Sequence, residues 1–100
     1  MDDPHAHLAK ALRDAALDSP GTLEPALRRA AADCGNLPQA LAAFADKIHR
    51  HAYKITDEDV AALLAAGYSE DQIFELTIAA AVGASLHRLE RGLAALAGAR

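Results

Sequence analysis

Apolar residues recur along this chain at intervals of three and four, and short turn signals interrupt the spacing. The pattern predicts an all-α bundle of four or five helices in one domain, residues 1–100. A first helix is expected over His5–Leu17, opened by Asp2 or Asp3 before Pro4, with Leu8, Leu12 and Ala15 as a narrow apolar stripe. Ser19-Pro20-Gly21 ends it. Thr22 is the expected cap of a short second helix, with Glu24 and Pro25 in its first turn and its end near Asp33, before Gly35-Asn36. The third helix starts at Pro38, well suited to a first turn, and runs to about Tyr53. Leu37, Leu41, Phe44, Ile48 and His51 fall on one face of it. Thr56 and the acidic run Asp57-Glu58-Asp59 open a short fourth helix carrying Val60, Leu63 and Leu64, and Gly67 closes it.

The last helix dominates the pattern. Ser69 and Gln72 have the spacing of a capping box, and the helix is expected to continue to Leu96. No charged residue occurs between Thr77 and Leu86, and half of that run is alanine or glycine. Two faces emerge. Ile78, Val82, Leu86, Leu89, Leu93 and Leu96 form an aliphatic stripe, whereas Ile73, Leu76, Ala80, Gly83 and Ala84 form a flatter face of small residues, continued by His87. A helix apolar on so much of its circumference calls for neighbours on several sides. Either the leucine stripe or the Ala80–Ala84 face is therefore expected to meet a second subunit.

Composition narrows the picture. The 100 residues are 52% hydrophobic, but half of that share is alanine, which favours helix and buries little area. Such a thin core makes self-association attractive. A net charge of −4 gives no support to nucleic-acid binding. The N-terminal MDDPHAHLAK lacks the hydrophobic segment of a signal peptide, and the neutral run of the last helix is too short to cross a bilayer, so the expectation is a cytoplasmic protein without membrane contact. One cysteine excludes an intramolecular disulfide and any Cys-x-x-Cys motif. His5/His7 and His49/His51 have a spacing that diverges on a helix, so no metal is expected, and nothing in the sequence calls for a cofactor.

The segment ITDEDVAALLAAGYSEDQIFE, Ile55–Glu75, followed by an alanine-rich helix ending in Arg88-Leu89, resembles the C-terminal half of the carboxymuconolactone decarboxylase superfamily, which includes AhpD-like alkylhydroperoxidases. With the preceding helix from Leu37, the resemblance covers about sixty residues. It implies an AhpD-like helical bundle and assembly into dimers, trimers or hexamers. Peroxidases of that type carry a Cys-x-x-Cys pair with a following His and an upstream Glu, one thiolate attacking the peroxide and the second thiol resolving the sulfenic acid. Here the corresponding LEPALRRAAADCGNLPQAL holds only Cys34, at a helix C-terminus, where the dipole disfavours thiolate.

Four residues remain as candidates for chemistry. His51 stands in the apolar stripe of the third helix and His87 on the small-residue face of the last; packed together, they could share one groove for proton transfer on a lactone. Glu75 is either a partly buried carboxylate with a raised pKa or an acidic residue serving the helix dipole. Cys34 is the candidate for one-cysteine peroxidase chemistry. The plainer reading of the histidines is that each is satisfied locally, and Tyr53 and Tyr68 are expected as lids on the core. The leading expectation is an oligomeric binding or structural module without thiol peroxidase activity, able to take a small-molecule ligand. An enzyme using the His/Glu set or Cys34 is the alternative, and dependence on a separate partner protein is a third.

Overall fold

The computed structural model describes residues 4–18 and 20–99; the opening signal at Asp2 or Asp3, Ser19 of the first break, and the side chain of His5 lie outside the described residues. Among the described residues five helices follow one another: α1 Pro4–Asp18, α2 Pro25–Asp33, α3 Gln39–His51, α4 Asp57–Ala65 and α5 Glu70–Gly98, with a 3₁₀ turn, Ala52–Lys54, after α3. No strand occurs among the described residues.

Capping chemistry sets the ends. Thr56 and Asp59 form a reciprocal box at the start of α4, and Ser69 and Gln72 do the same for α5. Pro25 supplies the first turn of α2. Thr22 is not that helix's cap; Glu24 holds the position and makes no side-chain bond, while Thr22 is bound elsewhere. Helices α4 and α2 close alike. Tyr68 N–H donates to Leu63 O at 3.1 Å across Gly67, and Gly35 N–H donates to Ala30 O at 2.8 Å across Cys34. Gly67 takes the left-handed conformation this closure needs, φ 100°, and Cys34 adopts it at φ 56° without glycine's freedom.

Helix α5, about 43 Å long at 1.5 Å per residue, is the axis against which the others pack. Its small-residue face is the internal one: Ile73, Leu76, Ala79, Ala80, Gly83 and Ala84 are buried. At Gly83 the backbone of α2 comes so close that a Cβ would stand 2.5 Å from the Ala32 Cα. The Ala80–Ala84 face thus meets α2 of the same chain, not a second subunit. Leu17, Leu23, Leu41, Phe44, Ile48 and Leu63 complete the core.

The aliphatic stripe behaves differently. Leu86 is buried, but Ile78, Leu89 and Leu96 stay exposed. The stripe read in α1 also faces away from the core, with Leu8 and Leu12 exposed and Leu17 turned inward. The molecule is elongated, 50 × 28 × 20 Å, with a radius of gyration of 14.8 Å against about 13 Å for a compact domain of this length. No helix among the described residues is long and apolar enough to cross a membrane.

Candidate functional site

The strongest polar anchor is Glu75, one turn into α5. Its carboxylate accepts hydrogen bonds from Thr22 N–H at 2.9 Å, from Leu23 N–H at 3.2 Å and from the Thr22 hydroxyl. It thereby ties the α1–α2 loop to the start of α5. The Thr22 hydroxyl bond, with the backbone N–H bonds of Thr22 and Leu23 and the charge of Arg28, holds the carboxyl below its ordinary value. A raised pKa suited to proton transfer is therefore not what this environment produces. Gly21 makes room for the arrangement, because any side chain there would overlap the Glu75 carboxylate. Arg28 itself is 2% exposed, and its Nη1 donates to Ala16 O at 3.4 Å beneath α1.

Because the folded-state pKa of Glu75 is lowered, its bonds contribute fully above pH 4.5 and fade as pH falls through the lower folded value. Glu75→Gln keeps the size but loses the charge, and should cost about 1–2 kcal/mol at neutral pH. The variant's denaturation midpoint should also fall less than the wild type's on acidification from pH 5; parallel losses would show that Glu75 carries no linkage.

The histidines do not meet as the sequence suggested. His51 ends α3, where the backbone turns away at φ −147° and ψ 59°, so the residue leaves the apolar face and is exposed. Its ring rests edge-on against Tyr53, centroids 5.8 Å apart. Tyr53 lies in the open, not over the core; Tyr68 does pack on the core. His87 instead approaches His49, ring centroids 6.4 Å apart, and stands 3.9 Å from both Asp33 and Glu90.

His49, which the sequence offers only as a chelate partner of His51, has a structural task instead. Its Nε2–H donates to Ala31 O at 2.7 Å, capping the C-terminal turn of α2. Arg88 Nη2 in turn donates to His49 O at 3.0 Å, serving the last carbonyls of α3. The signal was present in the spacing: His49 follows the buried Ala45 by four residues and so borders the face turned toward α2.

Two clefts accompany these residues. A groove of about 480 Å³ between α3 and α4 is walled by Ala40, Ala43 and Ala62, floored by Phe44 and Leu63, and edged by His51. Across it Lys47 Nζ bonds Asp59 Oδ2 at 2.7 Å. The Lys47 bond, with the Thr56 N–H, holds the Asp59 carboxyl below its usual range. A smaller cleft of about 190 Å³ joins Cys34, exposed at its left-handed turn, to His49 and Asp46. No group of three or more His, Cys, Asp or Glu able to hold a metal ion occurs among the described residues.

Comparison with protein-family models, with curated protein sequences and with solved structures gave no match.

Proposed function

We propose that this chain is an AhpD-like member of the carboxymuconolactone decarboxylase superfamily without the peroxidatic thiol pair, acting as a homo-oligomeric binding or structural module. The Ile55–Glu75 phrase supports the family: its two caps open α4 and α5, and its glycine closes α4. The observation that carries the module reading is the outward apolar row of α1 and α5, in which Leu8, Leu12, Phe74, Ile78, Leu89 and Leu96 remain between 40 and 67% exposed. Exposed apolar surface on this scale marks an interaction site. The would-be catalytic set supports no common centre: Glu75 staples a loop, His51 edges the α3–α4 groove, and His87 sits beside His49. That groove is the place for a small-molecule ligand.

One observation favours a second reading, a one-cysteine enzyme: Cys34 is open to solvent and shares a cleft with His49. Light scattering and a peroxide-consumption assay separate the two. The expected result is a mass that is a multiple of 10.5 kDa, with peroxide loss the same for the wild type and Cys34→Ser. A monomer would overturn the oligomeric reading. Peroxide consumption abolished by Cys34→Ser would overturn the non-enzymatic one.

A further inference from the structure

We infer that the partner covering the outward row of α5 is a second copy of this chain, with the two α5 helices antiparallel about a twofold axis at Ser85. This rests on the oligomeric reading above and specifies its surface.

The row follows the helix for most of its length. Phe74, Ile78, Ala81, Ser85, Leu89, Gly92 and Leu96 succeed one another at spacings of three and four, and all are exposed. They lie opposite the buried face of Leu76, Ala79 and Gly83. No charged residue occupies the row, so pairing it strips no ion of water.

The row's order of sizes is what selects the partner. Ser85 is its midpoint. In an antiparallel pair centred there, Ala81 faces Leu89 of the second copy, Ile78 faces Gly92, and Phe74 faces Leu96. Large meets small next to the axis, and the two largest residues close the ends. Parallel pairing would instead set each residue against itself, leaving gaps at Ala81, Ser85 and Gly92 between crowded leucines and isoleucines. An isologous contact of this kind closes on itself and needs no other protein.

Helix α1 widens the same surface. It runs antiparallel to α5, since Ala9 and Arg13 share a cleft with Leu86, Leu89 and Leu93, whereas Ala15 and Ala16 lie beside Phe74 and Ile78. With α1 in that orientation, helical spacing turns Leu8 and Leu12 to the same side as the α5 row. Taken at the low end of the aromatic range, the six large side chains of α1 and α5 would each present on the order of 150 Å² if fully bare. At roughly half exposure they offer about 450 Å² per chain, more than half of the roughly 800 Å² per partner of a standard interface. The paired molecule is a four-helix arrangement of α1 and α5 from each copy.

Oxidative cross-linking in a Cys34→Ser background tests the register. Ser85→Cys should give a covalent dimer in high yield. Gly92→Cys, at a position where a Cβ meets nothing within 4 Å, should not, because the two copies of residue 92 would stand about 21 Å apart along the helices, beyond disulfide reach. Combining Ile78→Cys with Gly92→Cys should restore the cross-link. If Gly92→Cys alone links as well as Ser85→Cys, the antiparallel register is wrong. A dimer in light scattering that none of these variants links would overturn this surface while leaving the oligomeric reading standing. A monomer would overturn both.

Discussion

Gly83→Leu should unfold the chain, and even Gly83→Ala should cost about 3 kcal/mol. In an exposed stretch of helix, alanine for glycine would gain about 1 kcal/mol. Here the added carbon meets backbone, not a side chain that could rotate away: the Ala32 Cα at 2.5 Å, its carbonyl carbon at 2.6 Å, and the carbonyl oxygen as well. Helices α2 and α5 must separate to admit it, which opens the contact that buries Ala31, Ala32, Ala79 and Ala80. At about 4–8 °C per kcal/mol for a domain of this size, the alanine variant should melt on the order of 15 °C lower. Because the obstructing backbone belongs to the same chain, the loss should appear in a melt at every protein concentration. A Gly83→Ala protein as stable as the wild type would show that α2 does not lie where it is described.

Leu76→Ala should be nearly as damaging, and its near neighbour Phe74 provides the contrast. Leu76 is fully buried on the side of α5 that faces the core, so its truncation loses the transfer energy and leaves a cavity, together about 3–4 kcal/mol. Phe74 is the larger residue, yet it is 67% exposed and two positions round the helix. Phe74→Ala should change the chain's own stability by less than about 1 kcal/mol, measured at a concentration low enough to leave it unassociated. Equal losses in the two variants would mean that the core and outward faces of α5 have been assigned wrongly.

These two residues also show what the sequence could and could not reveal. The helices were legible because caps and stops are local: Thr56 with Asp59, Ser69 with Gln72, and Gly67 act within a few positions. The small-residue face of α5 was legible too, since only a close neighbour explains glycine and alanine repeated on one side. Which of its apolar residues would turn outward was not. Leucines at Leu8, Leu12, Leu89 and Leu96 look like core in any window of sequence, and only the position of α1 shows that they turn outward. Glu75 and Thr22 lie 53 residues apart, so no local pattern joins them. His51 was misplaced because it is the last residue of α3, where the backbone departs from helical angles and twists it off the apolar face. His49, one turn after an alanine, carried too faint a signal beside it.

The bond from His49 to Ala31 has one more property. Together with the Arg88 bond to His49 O, it joins three helices, α2, α3 and α5, at one junction. The brace at Glu75 is made by a carboxylate, and a protonated carboxyl gives up much of its hold on Thr22 and Leu23. Glu75 and the Arg88 that completes the His49 junction stand about 20 Å apart along α5. Acid that protonates Glu75 therefore frees the α1–α2 loop from the start of α5, well away from the tie that Arg88 makes.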